Sequence, residues 1–300
     1  MARCGLCPRA CPVDRGFEAG ACGAGSELRV GAVVIHRGEE PPLVKGQGSG
    51  AIFFSHCPLQ CSFCQNRKIS HEGAGEAVST DGLAGCMLAL QERGCSNINL
   101  VSPTHYAPSI IEALGRARSL GLRLPVILNS SGYETVEGLN RWQGHAGLFL
   151  MDLKYGDNET GRLLSRVPDY WDRAREAVSH LWESPGRLVL DGNGAAVSGL
   201  MVRHLVLPGM LSNPFAVLHF LAELSVDIPV SIMSQYNPAF YRGGVPELKR
   251  PLLKEEYETV VERACDLGFT TIFAQGLDAT GTYVPDFESE LPFGDQVRIL

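Results

Sequence analysis

Short apolar runs alternate with amphipathic helical patterns along most of this 300-residue chain. Between the first two runs, Leu83, Cys86, Met87 and Leu90 recur at the spacing of one helix face. Alternation of strand and helix predicts a parallel sheet with right-handed crossovers. We therefore predict an α/β fold, a partial (β/α)6 TIM-like barrel, with a doubly wound open sheet as the alternative. The predicted strands are Ala51–Phe54, Asn97–Val101, Pro125–Leu128, Leu148–Leu153, Met201–Val206, Pro229–Met233 and Thr271–Phe273.

The first fifty residues differ from this pattern. They hold four cysteines, many glycines and prolines, and one clear apolar run, Val30–Ile35. We predict a short Cys-rich extension over residues 1–50, a barrel over residues 51–275 and a C-terminal tail over residues 276–300. Within the extension, Glu39-Glu40-Pro41-Pro42 is typical of a solvated turn.

Composition narrows the class of protein. The net charge of −7 and the lack of a basic stripe argue against a nucleic-acid partner. No apolar run of 18 residues and no apolar leader after Met1 are seen, so we expect a cytoplasmic protein that does not enter the membrane. In that setting, ten cysteines favour metal or redox chemistry over disulfides. Three of them, Cys86, Cys95 and Cys265, lie on or beside helical patterns and are predicted core residues.

A second group of cysteines directly follows the first predicted barrel strand. Cys57, Cys61 and Cys64 are spaced C-x3-C-x2-C on one loop, so their thiolates can converge on a single centre. Thiolates suit iron–sulfur clusters and zinc. Three ligands leave one coordination position open, as a catalytic metal site requires. A zinc knuckle or buried thiols without metal are the alternatives.

Polar residues recur where the predicted strands end, which in a parallel barrel is where functional residues gather. Asp152 and Lys154 are two residues apart and share one face of their strand. Two charges beside each other in an apolar strand are costly unless they are paired or bind a ligand. Other strands end in Thr104 and His105, in Asn129 and Ser130, and in Arg203.

The cysteine loop, Ser55-His56-Cys57-Pro58-Leu59-Gln60-Cys61-Ser62-Phe63-Cys64, resembles the signature of the radical S-adenosylmethionine (SAM) superfamily. The resemblance implies that Cys57, Cys61 and Cys64 hold a catalytic [4Fe-4S] cluster whose fourth iron binds SAM. It also implies that Phe63 lies against the adenine. One electron would then cleave SAM to methionine and a 5′-deoxyadenosyl radical.

Three further segments resemble the pyruvate formate-lyase activating enzyme: Phe149-Leu150-Met151-Asp152-Leu153-Lys154, Val202-Arg203-His204-Leu205-Val206-Leu207-Pro208-Gly209 and Cys64-Gln65-Asn66-Arg67. The resemblance implies that Asp152, Lys154 and Arg203 line the SAM site. Thr104 or His105 would contact the amino group of SAM, in place of the family's Gly-Gly-Glu-like segment. Asn129 and Ser130 would flank, with Asp152, a monovalent cation beside SAM.

The same resemblance implies a reaction and partners. The enzyme would abstract hydrogen from a glycine of a partner protein, a glycyl radical enzyme, and would receive electrons from a flavodoxin or ferredoxin. A radical SAM enzyme acting on another peptide or on a small molecule is an alternative. A non-catalytic, zinc-binding interaction module is an alternative of another class.

The N-terminal cysteines form a separate group, Cys4, Cys7, Cys11 and Cys22, spaced C-x2-C-x3-C-x10-C. The C-x2-C step is a metal-knuckle spacing, so we predict a second, structural metal, either zinc or iron–sulfur. A redox-active accessory cluster and reduced thiols without metal are the alternatives. This group resembles a branch of activating-enzyme-like proteins that carries an N-terminal Cys-rich segment.

Overall fold

The computed structural model describes residues 3–281 and 285–287 of the chain. The strands are β1 (Arg29–His36), β2 (Ser49–Phe54), β3 (Glu76–Ala77), β4 (Ile98–Val101), β5 (Val126–Ser130), β6 (Leu148–Asp152), β7 (Val189–Leu190), β8 (Ala196–Leu205), β9 (Val230–Met233) and β10 (Ile272–Ala274). The helices are α1 (Arg67–Ser70), α2 (Thr80–Glu92), α3 (Ala107–Ser119), α4 (Val136–Asn140), α5 (Asn158–Ser165), α6 (Tyr170–Glu183), α7 (Pro214–Leu224) and α8 (Lys254–Asp266).

One sheet organises the fold, with strand order β10-β9-β8-β6-β5-β4-β2-β1-β3. In this order, the seven strands from β10 to β2 all pair parallel with their neighbours. These seven parallel strands coincide with the seven predicted runs, so the predicted α/β fold is confirmed. In the part of the chain that the structure describes, the two ends of the strand order do not pair, and the sheet is an open, partial barrel.

The sheet begins earlier in the chain than predicted. β1 pairs antiparallel with β2, with Val33 opposite Ile52, so residues 29–36 belong to the main sheet. The predicted boundary at residue 50 falls inside β2. The physical reason is that nearly all of β1 is buried, and an apolar strand covered on both faces needs sheet partners for its backbone groups. Residues 3–28 and the connection over residues 37–48 are the described parts of the extension that lie outside the strands.

The α2 helix shows how the local sequence sets packing. Ser79 begins it, since its Oγ accepts a hydrogen bond from the backbone N–H of Gly82 at 3.0 Å, an N-cap contribution of about 1 kcal/mol. The predicted apolar face is buried, with Leu83, Met87 and Leu90 fully shielded from solvent.

Two of the three isolated cysteines, Cys86 and Cys95, are buried as predicted. The prediction for Cys265 is wrong, because this thiol is exposed. The apolar face of α8 is set by Val260 and Ala264, which are fully buried, and Cys265 lies one residue off that face.

Because the seven central strands run parallel, their carboxyl ends open to the same side of the sheet. The loop that follows β2 and carries the second cysteine group lies at that side. None of the helices within residues 3–281 is long and apolar enough to cross a membrane.

Candidate active site

The loop after β2 borders two pockets. Leu59, Cys61 and Phe63 face a pocket at the carboxyl ends of the strands, here called the inner pocket. Gln60 and Ser62, which alternate with them, face a second depression on the other side, here called the outer pocket. A turn follows, in which the N–H of Cys64 donates to the carbonyl oxygen of Cys61 at 3.2 Å, so that Phe63 and Cys64 both face the inner pocket. Residues 57–64 thus separate two cavities.

A backbone and a side-chain hydrogen bond hold this loop in place. The N–H of Ser62 donates to the carbonyl oxygen of Leu164 at 2.8 Å, at the end of α5. Farther along, Nε2 of Gln65 donates to the carbonyl oxygen of Gln235 at 2.9 Å, beyond β9. The loop is therefore fixed to two distant elements of the barrel.

All three cysteines of the loop line the inner pocket. Burial raises the pKa of the Cys57 and Cys64 thiols, and the charge of the neighbouring Cys61 raises both further. Hydrogen-bond donors act in the opposite direction, since donors stabilise a thiolate. For these two thiols they are the Oγ of Ser70, 3.2 Å from Cys64 Sγ, and the backbone N–H groups of Leu59 and Asn66. The Oγ of Ser165 donates to Cys61 Sγ at 3.0 Å.

Among residues 3–281 and 285–287, no three His, Cys, Asp or Glu side chains are arranged as ligands of one metal ion. A [4Fe-4S] cluster makes a different demand, because each thiolate binds a different iron. Three thiols on one pocket, with Cys61 buried and Cys57 and Cys64 half-buried, have hydroxyl and amide donors beside their sulfur atoms and match the chemistry of such a cluster. The donor set therefore fits the group that the sequence resemblance implies.

Asp152 and Lys154 meet in the inner pocket. Nζ of Lys154 lies 2.5 Å from Oδ2 of Asp152, and the two side chains are 21% and 22% exposed. Burial alone would lower the pKa of Lys154, but the charges of Asp152 and Cys61 outweigh it and raise this pKa. The hydroxyl of Tyr170 accepts the backbone N–H of Lys154 at 2.8 Å and fixes the end of β6. The pair therefore presents a charged hydrogen-bond donor, Lys154, and a charged acceptor, Asp152, to the inner pocket.

Arg203 also lines the inner pocket, directly opposite Asp152 in the β6–β8 register. Its guanidinium is bound by Glu39 and Glu40, whose side chains are 6% and 7% exposed. The prediction of a solvated turn at these glutamates is wrong. Their charges face Arg203 across the sheet, and the nearby Asn99 Nδ2 donates to Glu39 Oε1 at 2.8 Å.

This buried ion pair network shifts the pKa values of its members. Burial opposes the charge of Arg203, but Glu39 and Glu40 raise its pKa well above the usual value. Burial would raise the pKa of Glu40, but the charge and hydrogen bonds of Arg203 lower it. Glu40 is therefore ionised, and both glutamates line the inner pocket.

Phe63 and Asn129 line the inner pocket, but Thr104 and Ser130 do not. The hydroxyls of Thr104 and Ser130 both donate to Oε1 of Glu134, from Ser130 at 2.5 Å. Burial raises the pKa of Glu134 to about 7. Sequence reasoning missed Glu134, because a lone glutamate after a strand carries no motif. The two hydroxyls satisfy this buried carboxyl group instead of facing the pocket.

His105 is likewise outside the lining of the inner pocket. It is almost fully buried, and its Nε2 lies 2.7 Å from the carbonyl oxygen of Ser55, at the start of the cysteine loop. Burial lowers the pKa of His105 to about 3, so the ring is neutral and supports the loop from behind.

The N-terminal cysteine segment packs on the outside of the cysteine loop. Nε of Arg9 donates to the carbonyl oxygen of Pro58 at 2.5 Å, and Nε2 of Gln60 donates to that of Ala21 at 3.4 Å. The ring of His56 lies close to Gly23, where a Cβ would come within 2.8 Å of Nδ1. None of residues 3–28 lines the inner pocket.

Backbone amides point at the sulfur atoms of this segment. The N–H of Ala21 donates to Cys11 Sγ at 3.3 Å, and that of Ala24 donates to Cys22 Sγ at 3.5 Å. Cys4 and Cys22 are near enough to Cys7 to raise its pKa, although burial is the larger cause. The structure therefore brings the four thiols into one neighbourhood, although the described residues hold no set arranged around a single ion.

No protein-family model matches the chain. The chain is 31% identical over 270 residues to the uncharacterized protein MJ0674 of Methanocaldococcus jannaschii, a match that covers 87% of this chain and 74% of the archaeal protein. The chain belongs to the family of MJ0674.

Among solved structures, Streptococcus suis SuiB bound to its precursor peptide SuiA superposes with a TM-score of 0.51 at 13% identity. The match covers 73% of this chain, which spans 46% of the SuiB chain, so less than half of that protein has a counterpart here. At this identity the likeness concerns the fold. The chain therefore shares its partial α/β barrel fold with part of SuiB.

Proposed function

We propose that the protein is a radical SAM enzyme. The observation that carries this is the convergence of Cys57, Cys61 and Cys64 with Asp152, Lys154 and Arg203 on one pocket. These residues come from the loop after β2, from the end of β6 and from β8. Thiols for a cluster and charged groups for an amino-acid ligand thus lie side by side.

The roles follow from the chemistry of each side chain. Cys57, Cys61 and Cys64 hold a [4Fe-4S] cluster, which when bound supplies the electron that splits SAM into methionine and a 5′-deoxyadenosyl radical. Lys154 donates to the carboxylate of SAM, and Asp152 accepts from its ammonium or ribose hydroxyls. The ring of Phe63 presents an apolar surface to the adenine.

Arg203 is a positioning group in this proposal as well as a charged contact. Because Glu39 and Glu40 bind its guanidinium, its orientation is fixed before SAM enters. The two carboxylates together outweigh the charge of Arg203, which leaves this side of the pocket negative. That sign favours the sulfonium cation of SAM.

The substrate that we propose is a glycine of a partner protein, from which a hydrogen atom is removed. The support is the similarity of the Asp-Leu-Lys strand and the Arg strand to activating enzymes. The SuiB structure, which holds a precursor peptide, supports a peptide or protein substrate more broadly. A second peptide class or a small molecule remains the alternative.

For the four N-terminal cysteines we propose a structural metal, zinc or iron–sulfur. The support is the amide-to-sulfur hydrogen bonds at Cys11 and Cys22, which stabilise thiolates. A segment of 26 described residues (3–28) also has too little apolar surface to fold by burial alone.

The experiment is anaerobic reconstitution with iron and sulfide, followed by iron and sulfide analysis and visible absorption. Each of the variants Cys57→Ala, Cys61→Ala and Cys64→Ala should bind one equivalent of [4Fe-4S] cluster less than the wild type. Cys265→Ala, at an exposed thiol, is the matched control and should retain it. A protein that takes up zinc at this loop and no iron would support the interaction-module alternative. Deuterium moving from a deuterated partner glycine into 5′-deoxyadenosine would identify the substrate class.

A further inference from the structure

The outer pocket is a cavity separate from the site already described. Among the described residues, none lines both the outer and the inner pocket. Three parts of the chain form it: the cysteine loop with the beginning of α1, the end of α5, and residues 241–246 beyond β9. Its volume of about 690 Å³ falls in the range of ~300–1,000 Å³ that is typical of small-molecule sites. The outer pocket therefore has the size for a ligand of its own.

The outer pocket is positively charged in a chain whose net charge is −7. Arg67, Arg166 and Arg242 line it, and none of its described lining residues is Asp or Glu. Glu72 lies just outside this lining, where its Oε1 is 3.8 Å from Nε of Arg67, so it offsets part of one of the three charges. The remaining positive charge favours an anionic ligand.

Two of these arginines are held by neutral oxygens. Nη1 of Arg166 donates to Oε1 of Gln60 at 3.1 Å, and Nη1 of Arg242 donates to the carbonyl oxygens of Ala239 at 2.7 Å and Tyr241 at 3.0 Å. These partners orient the guanidinium groups without neutralising them. A guanidinium has five N–H donors, so most of each fork is left for the oxygens of an anion, and its planar geometry matches a phosphate group.

Two further polar groups of the lining lack a partner. Oγ of Ser62 and Nε2 of His71 are shielded from solvent and make no hydrogen bond within the described chain. Nη1 of Arg67, which can only donate, lies 3.1 Å from Nδ1 of His71, so Nδ1 accepts and the proton of the neutral ring is on Nε2. A buried donor without an acceptor is costly. A ligand oxygen among the arginines is an acceptor to which both donors can turn.

The lining also offers an apolar contact. Leu163, on α5, is 60% exposed, which is unusual for a leucine inside a cavity. An inorganic anion needs no such contact, whereas a nucleotide carries a planar, largely apolar base beside its phosphates. The combination of arginines with an exposed leucine therefore favours a phosphorylated organic molecule over free phosphate.

We propose that the outer pocket binds a phosphorylated small molecule of the nucleotide class, with its phosphates among the three arginines and its base against Leu163. The inference goes beyond the proposed function, because SAM occupies the inner pocket and no step of its cleavage uses these residues. The ligand also touches the cysteine loop, since Gln60 and Ser62 flank Cys61 in the chain. Its place is therefore that of an effector, which binds beside the reacting centre and takes no part in the reaction.

Binding is the first test, because it does not require turnover. ADP and, separately, pyrophosphate are titrated into the full-length protein by calorimetry at constant ionic strength. Arg166→Gln/Arg242→Gln should weaken binding of both at least about tenfold, because each arginine donates charge-assisted hydrogen bonds. The control Arg93→Gln/Arg118→Gln removes the same two charges at exposed positions near the ends of α2 and α3 and should bind like the wild type. Equal weakening in the two pairs would overturn the proposal, since only the overall charge would then matter.

A second pair of variants fixes the location and the class of ligand. The inner pocket also holds cations, so Lys154→Ala tests whether ADP binds there instead. This variant should keep the wild-type affinity for ADP, and a loss confined to it would overturn the proposal. Leu163→Ser, at an exposed position, should weaken ADP about threefold or more and leave pyrophosphate unchanged. Unchanged ADP affinity in Leu163→Ser would contradict the base contact and with it the nucleotide class.

An acidic peptide is the ligand that competes with this proposal, and hexaglutamate is its probe. Binding of hexaglutamate that is lost in Arg166→Gln/Arg242→Gln, with no binding of ADP or pyrophosphate to the wild type, would overturn the proposal in favour of a peptide surface. These measurements are independent of SAM cleavage. A protein that cleaves SAM but binds neither ADP nor pyrophosphate contradicts the second site alone. A protein that binds ADP through these arginines but does not cleave SAM contradicts the proposed function alone.

Discussion

Arg203 donates two parallel hydrogen bonds to Glu40, from Nε to Oε1 at 2.7 Å and from Nη2 to Oε2 at 2.6 Å. The two residues are 163 positions apart in the chain. The contact joins the connection between β1 and β2 to strand β8 at the rim of the inner pocket. It is therefore both a structural link and part of the ligand-facing surface.

Removal of Arg203 should be strongly destabilising. Arg203→Ala leaves Glu39 and Glu40 buried without their cation, which typically costs roughly 3–5 kcal/mol. The free energy of unfolding from urea denaturation measures this. Glu137→Ala, which breaks the exposed Arg141–Glu137 pair at 2.9 Å, is the control and should cost less than about 1 kcal/mol. Equal costs for the two variants would contradict the buried network.

Sequence reasoning identified those site residues that lie close to one another in the chain. The C-x3-C-x2-C loop and the Asp152–Lys154 pair reach one pocket because neighbouring residues of a strand or loop share a face. Glu40 was missed because its partner lies across the sheet, and no local pattern distinguishes a buried Glu-Glu-Pro-Pro turn from a solvated one. Thr104 and Ser130 were placed at the correct strand ends, but the direction of their side chains depends on Glu134, which no motif marks.

Because the carboxyl group of Glu134 is buried, we expect the free energy of unfolding to depend on pH. Its pKa is raised from 4.5 to about 7, so the folded protein binds the proton more tightly than the unfolded chain. Stability from this group is present below pH 4.5 and is lost as the pH rises through 7. Glu134→Gln keeps the shape and removes the charge. It should stabilise the protein by roughly 2–3 kcal/mol more at pH 8 than at pH 5, measured by urea denaturation. A pH-independent difference would contradict this assignment.

For His204 we expect the free energy of unfolding to change with pH in the opposite direction. It is fully buried between the carbonyl oxygen of Leu153, at 2.6 Å, and Oγ of Ser212, at 3.1 Å. Burial lowers its pKa from 6.5 to about 4, so stability from this group is present above pH 6.5 and is lost as the pH falls through 4.

The measurement for His204 is the slope of unfolding free energy against pH between 6.5 and 4. His204→Asn should reduce this slope by about 1.4 kcal/mol per pH unit, the value for one proton. A slope unaffected by His204→Asn would show that the ring takes up its proton in the folded state.

The N-terminal cysteine segment should depend on metal for its structure. Cys4→Ser with Cys7→Ser should remove one metal equivalent and lower the melting temperature, while SAM cleavage survives at moderate temperature. Elemental analysis and thermal denaturation check this against the exposed-thiol variant Cys265→Ser. A double variant with unchanged metal and melting temperature but no turnover would assign the segment a catalytic or redox role.

The central claim is that the three-cysteine loop and the charged strand ends form a SAM-cleaving site. The most direct measurement is the formation of 5′-deoxyadenosine and methionine from SAM by the reconstituted, chemically reduced protein. The account predicts equal amounts of the two products with the wild type and none with Cys61→Ala. It also predicts slower formation with Lys154→Ala, because SAM affinity falls by about 1–3 kcal/mol. No product from a protein that carries its full iron and sulfide, or undiminished product from Cys61→Ala, would contradict it.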